Sequence, residues 1–130
     1  MPSRSGRAEF QYSIVRVVPS VERGERINAG VILLCRPKPF LGARIALDER
    51  RLAALAPDCD ATLVRSHLEA VERIAAGDDS AGPIARLTPA ERFHWLVSPS
   101  STVIQASEVH TGLTDDPAGE LEELFARLVR

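Results

Sequence analysis

One stretch near the N-terminus, SIVRVVPSVERGERINAGVILL, joins two apolar segments through a polar connection. Arg16 interrupts the first segment, and Asn28 and Gly30 interrupt the second. A buried arginine is costly unless a carboxylate neutralises it, and Glu25 or Glu22 is the nearest candidate. These residues therefore predict either an ion-paired lock that fixes the register of a hairpin, or an arginine that binds a phosphate or carboxylate. In both interpretations Gly30 leaves room for another backbone or group to come close, because it has no side chain.

A second polar cluster lies in PSSTVIQASEVHTGLTDD, around one predicted strand. Polar residues concentrated on a loop suggest a functional site more readily than polar residues on a helix face. His110 with Asp115 or Asp116 could act as a base, but helix capping already explains the two aspartates, and no nucleophile-elbow motif is present. Arg16 and His110 are the catalytic candidates. The candidate functional loop consists of Ser101, Thr102, Gln105, His110 and Thr111.

A third candidate is the pair His94 and Trp95 in the segment ERFHWLV. Aromatic residues on a short helix belong to the core more often than to a ligand platform, so we predict a core position for Trp95. His67 falls on the outer side of its predicted helix, and we expect it to be solvated.

Hydrophobic periodicity and capping signals place these residues on an α+β fold. Three strands come early, helices occupy the middle, and one strand and one helix follow. We predict an antiparallel or mixed sheet of about four strands, with a central N-terminal hairpin, covered by three to four helices. Residues 1–9 are predicted to form a disordered tail and residues 10–130 a single domain, with the segment VHTGLTDD as a loop. The predicted strands are 10–18, 26–35, 40–47 and 102–107, and the predicted helices are 48–56, 61–77, 88–97 and one that starts at 116.

The composition of the 130 residues, 45 % apolar and 26 % charged, is ordinary for a soluble protein. No apolar run is long enough to span a bilayer, and the N-terminus does not resemble a secretory signal, so we expect a cytoplasmic protein. Cys35 and Cys59 form no metal-binding or redox motif, and we expect no metal and no cofactor. Residues 1–51 carry ten basic and five acidic side chains, whereas residues 52–130 carry six and thirteen. This asymmetry indicates either complementary halves or a nucleic-acid-binding face.

The motifs Y-x-I-V-R-x-x-P, E-R-x-N-A-G-V-I-L, R-F-x-W-L, S-T-V-I-Q, V-H-T-G-L and D-D-P resemble those of the bacterial domain-of-unknown-function family 3037, in its actinobacterial form. The resemblance covers roughly residues 10 to 130. The family has no established activity, so the resemblance implies no mechanism. Its members often sit beside genes for HipA-like kinases, which implies a regulatory role with such a kinase as partner. The matching residues are Tyr12, Arg16, Pro19, Glu25, Asn28, Gly30, Trp95, Ser101, Thr102, Gln105, His110 and Gly112.

Three functions remain open from the sequence. The absence of any catalytic signature favours a non-enzymatic protein-interaction or regulatory module. The first alternative is a small enzyme that acts on phosphate esters or nucleic acid, with Arg16 and His110 together in one cleft. The second alternative is a nucleic-acid-binding protein that uses the arginine-rich first half. We expect no membrane association, and the sequence does not indicate an oligomeric state.

Overall fold

The computed structural model describes residues 7–20, 22–99 and 102–130. Within these ranges it contains one sheet of five antiparallel strands. The strands are β1 (Ala8–Val17), β2 (Ile27–Cys35), β3 (Phe40–Ile45), β4 (Ile104–Ala106) and β5 (His110–Thr114). β2 lies between β3 and β1, and β4 and β5 both pair with the other side of β1. The predicted α+β class with a central N-terminal hairpin is confirmed, with five strands in place of about four.

The described residues form four α-helices, and each begins after a side chain that caps its free backbone N–H groups. Thr88 and Glu91 form a capping box, in which the Thr88 hydroxyl accepts from the Glu91 backbone N–H and the Glu91 carboxylate accepts from the Thr88 backbone N–H. Gly77 ends the second helix in the left-handed conformation, as its position in the sequence predicted. The helices are α1 (Glu49–Leu55), α2 (Ala61–Ala76), α3 (Pro89–Val97) and α4 (Pro117–Leu128), with capping residues Asp48, Asp60, Thr88 and Asp116.

Helices cover both faces of the sheet. On one face, which we call the three-helix face, α1, α2 and α3 pack over Val15 and Val17 of β1. On the opposite face, the α4 face, α4 packs over Phe10 and Tyr12 of the same strand. Side chains alternate between the two faces along a strand, and β2 is buried almost throughout because both of its faces are covered.

The segment VHTGLTDD was predicted to be a loop, and this prediction is wrong: His110–Thr114 is strand β5. β4 and β5 lie end to end along β1, and the residues between them form a bulge at Ser107. Because the bulge interrupts the backbone ladder, the Ser107 hydroxyl replaces a carbonyl and accepts a hydrogen bond from the Ile14 N–H at 2.8 Å. The Ser13 hydroxyl donates to the Ser107 carbonyl at 2.7 Å. We call Ser13, Ser107 and Ile14 the serine bulge.

The first strand begins two residues earlier than predicted. Ala8 pairs with Thr114, and its side chain is buried against the core of the α4 face. The predicted disordered tail was therefore too long by Ala8 and Glu9, because β5 supplies a pairing partner that the sequence pattern did not reveal. The remaining part of that prediction, residues 1–6, lies outside the described residues.

Candidate functional site

Arg16 lies on the α4 face of β1, near the connection to β2. Its neighbours Val15 and Val17 point into the core of the three-helix face, so the Arg16 side chain projects to the other side. Asn28 is its cross-strand partner, and a register shift separates this pair from the pair Val15 and Gly30. We call the group Arg16, Arg26, Asn28 and Glu108 the arginine corner.

Arg16 has no neutralising partner among the described residues. Its Nε atom is buried and has no hydrogen-bond acceptor within the described ranges. Burial lowers the pKa of Arg16 from its ordinary value, and the nearby positive charge of Arg26 lowers this pKa further, whereas Glu108 raises it. Among the described residues, the half-buried positive charge of Arg16 thus has no ion-pair partner.

The predicted pairing of Arg16 with Glu25 is not formed. Glu25 instead binds Arg23, which donates hydrogen bonds from Nε at 2.7 Å and from an Nη atom at 3.0 Å. Both side chains are exposed in the hairpin connection, two residues apart, and this pair lowers the pKa of the Glu25 carboxyl. The nearer arginine forms the pair because it reaches the carboxylate without desolvating it.

Asn28 and Gly30 each have a definable packing role. The Asn28 side-chain amide donates a hydrogen bond to the Leu128 carbonyl at 3.0 Å and so attaches the end of α4 to the sheet. A Cβ atom at Gly30 would overlap with Ile45 Cδ1 and would lie 2.6 Å from the Arg44 carbonyl oxygen. The close approach that the sequence suggested at Gly30 is therefore made by β3.

The second candidate cluster does not converge on one point. Thr102 and Gln105 form local bonds: the Thr102 hydroxyl donates to the Ile104 carbonyl, and the Gln105 amide donates to the Thr102 carbonyl. Thr111 is exposed on β5, whereas His110 packs on the Tyr12 ring with 5.1 Å between ring centroids. Ser101 lies outside the described residues.

Arg16 and His110 do not form one catalytic cleft. His110 pairs with Tyr12, which is four residues from Arg16 along β1. Both side chains are on the α4 face, but the Cα atoms of Arg16 and of Tyr12, the partner of His110, lie about 13 Å apart along β1. The buried side chain of Ile14 lies between Arg16 and Tyr12 on the same face. Arg16 and His110 are therefore not neighbours in the sheet.

Sequence reasoning missed the buried hydroxyls of Ser13 and Ser107. Ser13 is fully buried, and Ser107 retains only 6 % of its accessible surface. Serine inside an otherwise apolar strand was the one available signal for Ser13, because a buried hydroxyl needs a partner. Ser107 carried no comparable signal, since it lies in a polar segment of the sequence.

The structure also contains an apolar groove between α2, the end of α3 and β4. Its floor is made by the core residues Val15 and Ile32, and its volume is about 410 Å³. His67 of α2 is exposed, as expected, and it also lines this groove. We call this feature the Trp95 groove, and its described lining is Val15, Ile32, His67, Ala70, Val71, Ile74, Trp95, Leu96, Ser98, Pro99, Thr102, Ile104, Gln105 and Ala106.

Trp95 was predicted to lie in the core, but 51 % of its surface is exposed at the rim of the groove. Phe93 takes the fully buried position of α3. Residues two apart on a helix point in directions about 200° apart, so Trp95 is turned away from the core that Phe93 enters. The helix thus presents its largest side chain at the mouth of a cavity.

Neither a metal site nor a membrane span is found in the described parts of the chain. No group of three or more metal-ligating side chains lies close enough together there to hold an ion. No helix in these parts combines the length and the apolar character needed to cross a bilayer.

Fold and site together define a small α+β protein whose central antiparallel hairpin carries an apolar groove on one face and, on the other, an arginine without an ion pair in the described part of the chain. The family described as protein of unknown function (DUF3037) matches residues 12–129, nearly the whole chain, and the chain belongs to this family. This confirms the resemblance found in the sequence. Comparisons with curated proteins and with solved structures found no match.

Proposed function

We propose that this protein is a non-enzymatic interaction module of the bacterial cytoplasm, and that the Trp95 groove binds an uncharged, apolar segment of a partner protein. One observation carries the proposal: a half-exposed tryptophan stands at the rim of a groove whose floor is part of the hydrophobic core. Tryptophan residues in such positions dominate the binding energy of many protein interfaces.

The lining of the groove supports an uncharged occupant. Within the described lining there is no Asp, Glu, Lys or Arg, and His67 is its only titratable side chain. A charged ligand group would lose its hydration there without gaining a partner. Apolar side chains of a peptide would instead gain burial against Val15, Ile32 and Trp95.

Other exposed apolar residues do not offer the same surface. Leu63, Leu87 and Leu113 are also exposed, by 54 %, 38 % and 59 %. None of them lines the groove, and singly exposed apolar residues are normal on protein surfaces. Trp95 differs because a cavity of about 410 Å³ lies beside it, within the usual range for binding sites.

The first partner to test is a HipA-like kinase, because the family resemblance suggests one. Two variants are expressed in the native host. In one, a photo-crosslinking amino acid replaces His67 in the groove, and in the other it replaces Glu123 on the opposite sheet face. We expect crosslinks to one protein from His67 and none from Glu123. Nuclease treatment before capture separates protein contacts from nucleic-acid contacts.

The purified partner then allows a quantitative test, because Trp95 is the only tryptophan of the chain. Its fluorescence reports occupancy of the groove directly. We expect Trp95→Ala to weaken binding by at least tenfold, the cost of removing an interface hot spot. Leu63→Ala, with similar exposure outside the groove, should leave the affinity unchanged. Wild-type affinity of Trp95→Ala, measured by calorimetry, would contradict the proposal.

A further inference from the structure

The arginine corner combines two positive charges on one surface. Arg16 faces Asn28 across the hairpin, and Arg26 precedes Asn28 by two residues. Residues diagonally opposed on one face of an antiparallel pair lie roughly 7–8 Å apart, within reach of long side chains. The two guanidinium groups can therefore contact one ligand group between them.

Within the described residues, no carboxylate forms an ion pair with Arg16 or Arg26. Among the described residues the ion pairs of arginine involve Arg23, Arg44, Arg65 and Arg86. Arg16 forms none of them, and Glu108 acts on its charge only from outside ion-pair distance. The Nε atom is buried and makes no hydrogen bond with the described residues, while the residue as a whole is only half-buried.

We propose that the arginine corner binds a phosphate monoester. Two adjacent guanidinium groups match a dianion better than a single carboxylate, because each can donate to separate oxygens of the same tetrahedral group. Arg16 contacts the ligand through its terminal nitrogens, and Arg26 closes the site from the hairpin connection. The phosphate belongs either to a small metabolite or to a phosphorylated protein side chain, since both present the same group.

The floor of this site is fixed before any ligand arrives. Asn28 is hydrogen-bonded to the Leu128 carbonyl, and its backbone belongs to the central strand β2. Arg16 projects from the equally central strand β1. Binding therefore orders few groups beyond the Arg26 side chain, which favours affinity. The site lies on the opposite sheet face from the Trp95 groove, so it is independent of the proposed partner.

The test is a nuclear magnetic resonance titration of the full chain that follows the Nε–H signals of its arginines. The probes are inorganic phosphate, adenosine monophosphate and a phosphoserine peptide, with acetate as the carboxylate control. We expect the Arg16 signal to shift saturably with the phosphate probes and not with acetate. Arg16→Met should weaken phosphate binding by about tenfold or more, the effect of losing a charged hydrogen-bond pair.

Arg36→Met is the matched control, because Arg36 is exposed at the other end of β2 and outside the corner. It should bind phosphate as the wild type does, whereas Arg26→Met should bind more weakly. Tighter binding of the nucleotide indicates a small metabolite, and tighter binding of the peptide indicates a phosphorylated protein. Wild-type affinity in folded Arg16→Met, or equal affinity for acetate, would overturn the proposal.

Discussion

The serine bulge and the arginine corner each contain a polar residue of strand β1, Ser13 and Arg16, which are three residues apart. The two regions differ in whether these polar groups have partners within the protein. At the bulge, each hydroxyl is fully buried or nearly so, and each has hydrogen-bond partners. At the corner, the Arg16 Nε has no hydrogen-bond partner among the described residues, and no carboxylate there forms an ion pair with Arg16. On one strand, therefore, the buried hydroxyl of Ser13 has hydrogen-bond partners and the buried Nε of Arg16 has none among the described residues.

This difference distinguishes polar side chains that stabilise the fold from polar side chains that bind a ligand. A polar group that the fold requires is paired inside the protein, because an unpaired buried donor or acceptor costs stability. A charge that the protein leaves unpaired contributes nothing to folding that a neutral side chain could not supply. We therefore assign the serines to the fold and Arg16 to a ligand.

The largest expected effect is at the bulge. Ser107→Ala removes the hydroxyl that accepts from the Ile14 N–H, and it leaves this N–H buried without an acceptor, whereas Ser13 keeps its bond to the backbone carbonyl of residue 107. We expect the free energy of unfolding to fall by about 2–3 kcal/mol, measured by urea denaturation. Ser98→Ala removes an exposed hydroxyl that bonds the His94 carbonyl, and it should change stability by less than about 0.5 kcal/mol. Equal losses in both variants would contradict the structural assignment.

A smaller loss is expected at Gly30, whose backbone adjoins the arginine corner. Gly30→Ala places a methyl group against Ile45 and the Arg44 carbonyl oxygen, so β2 and β3 must shift apart. Overpacking of this kind costs about 1–3 kcal/mol, which thermal unfolding would reveal. Gly24→Ala, where no atom lies within 4 Å but φ is +75°, tests the backbone cost alone, about 1 kcal/mol. An unchanged melting temperature in Gly30→Ala would show that the corner is not held by this contact.

Much of the fold was predictable because local signals and tertiary structure agree. Apolar segments on both sides of a short polar connection predicted the central hairpin, and capping residues such as Thr88 predicted the helix starts. β5 was missed because its short sequence, HTGLT, has one large apolar residue and a glycine, and its stability comes from pairing with β1. Long-range pairing of that kind leaves no periodic pattern in the sequence.

The candidate site was predicted in position but not in its contacts. The sequence singled out Arg16 and Asn28, which pair across the hairpin, but it could not show that Arg23 would bind Glu25. That choice depends on which side chains are desolvated, and a sequence does not give this information. Trp95 was assigned to the core by residue type. Phe93, two residues earlier on the helix, occupies the buried position, and Trp95 therefore points away from the core.

The most direct measurement compares the unfolding free energy of Arg16→Met with that of Ser107→Ala in one series of urea titrations. Methionine keeps an apolar stem in place of arginine and removes the charge that burial disfavours, as the lowered pKa of Arg16 indicates. We predict that Arg16→Met stays within about 0.5 kcal/mol of the wild type or is more stable, while Ser107→Ala loses about 2–3 kcal/mol. A loss in Arg16→Met as large as that in Ser107→Ala would contradict the account, because Arg16 would then be part of the fold.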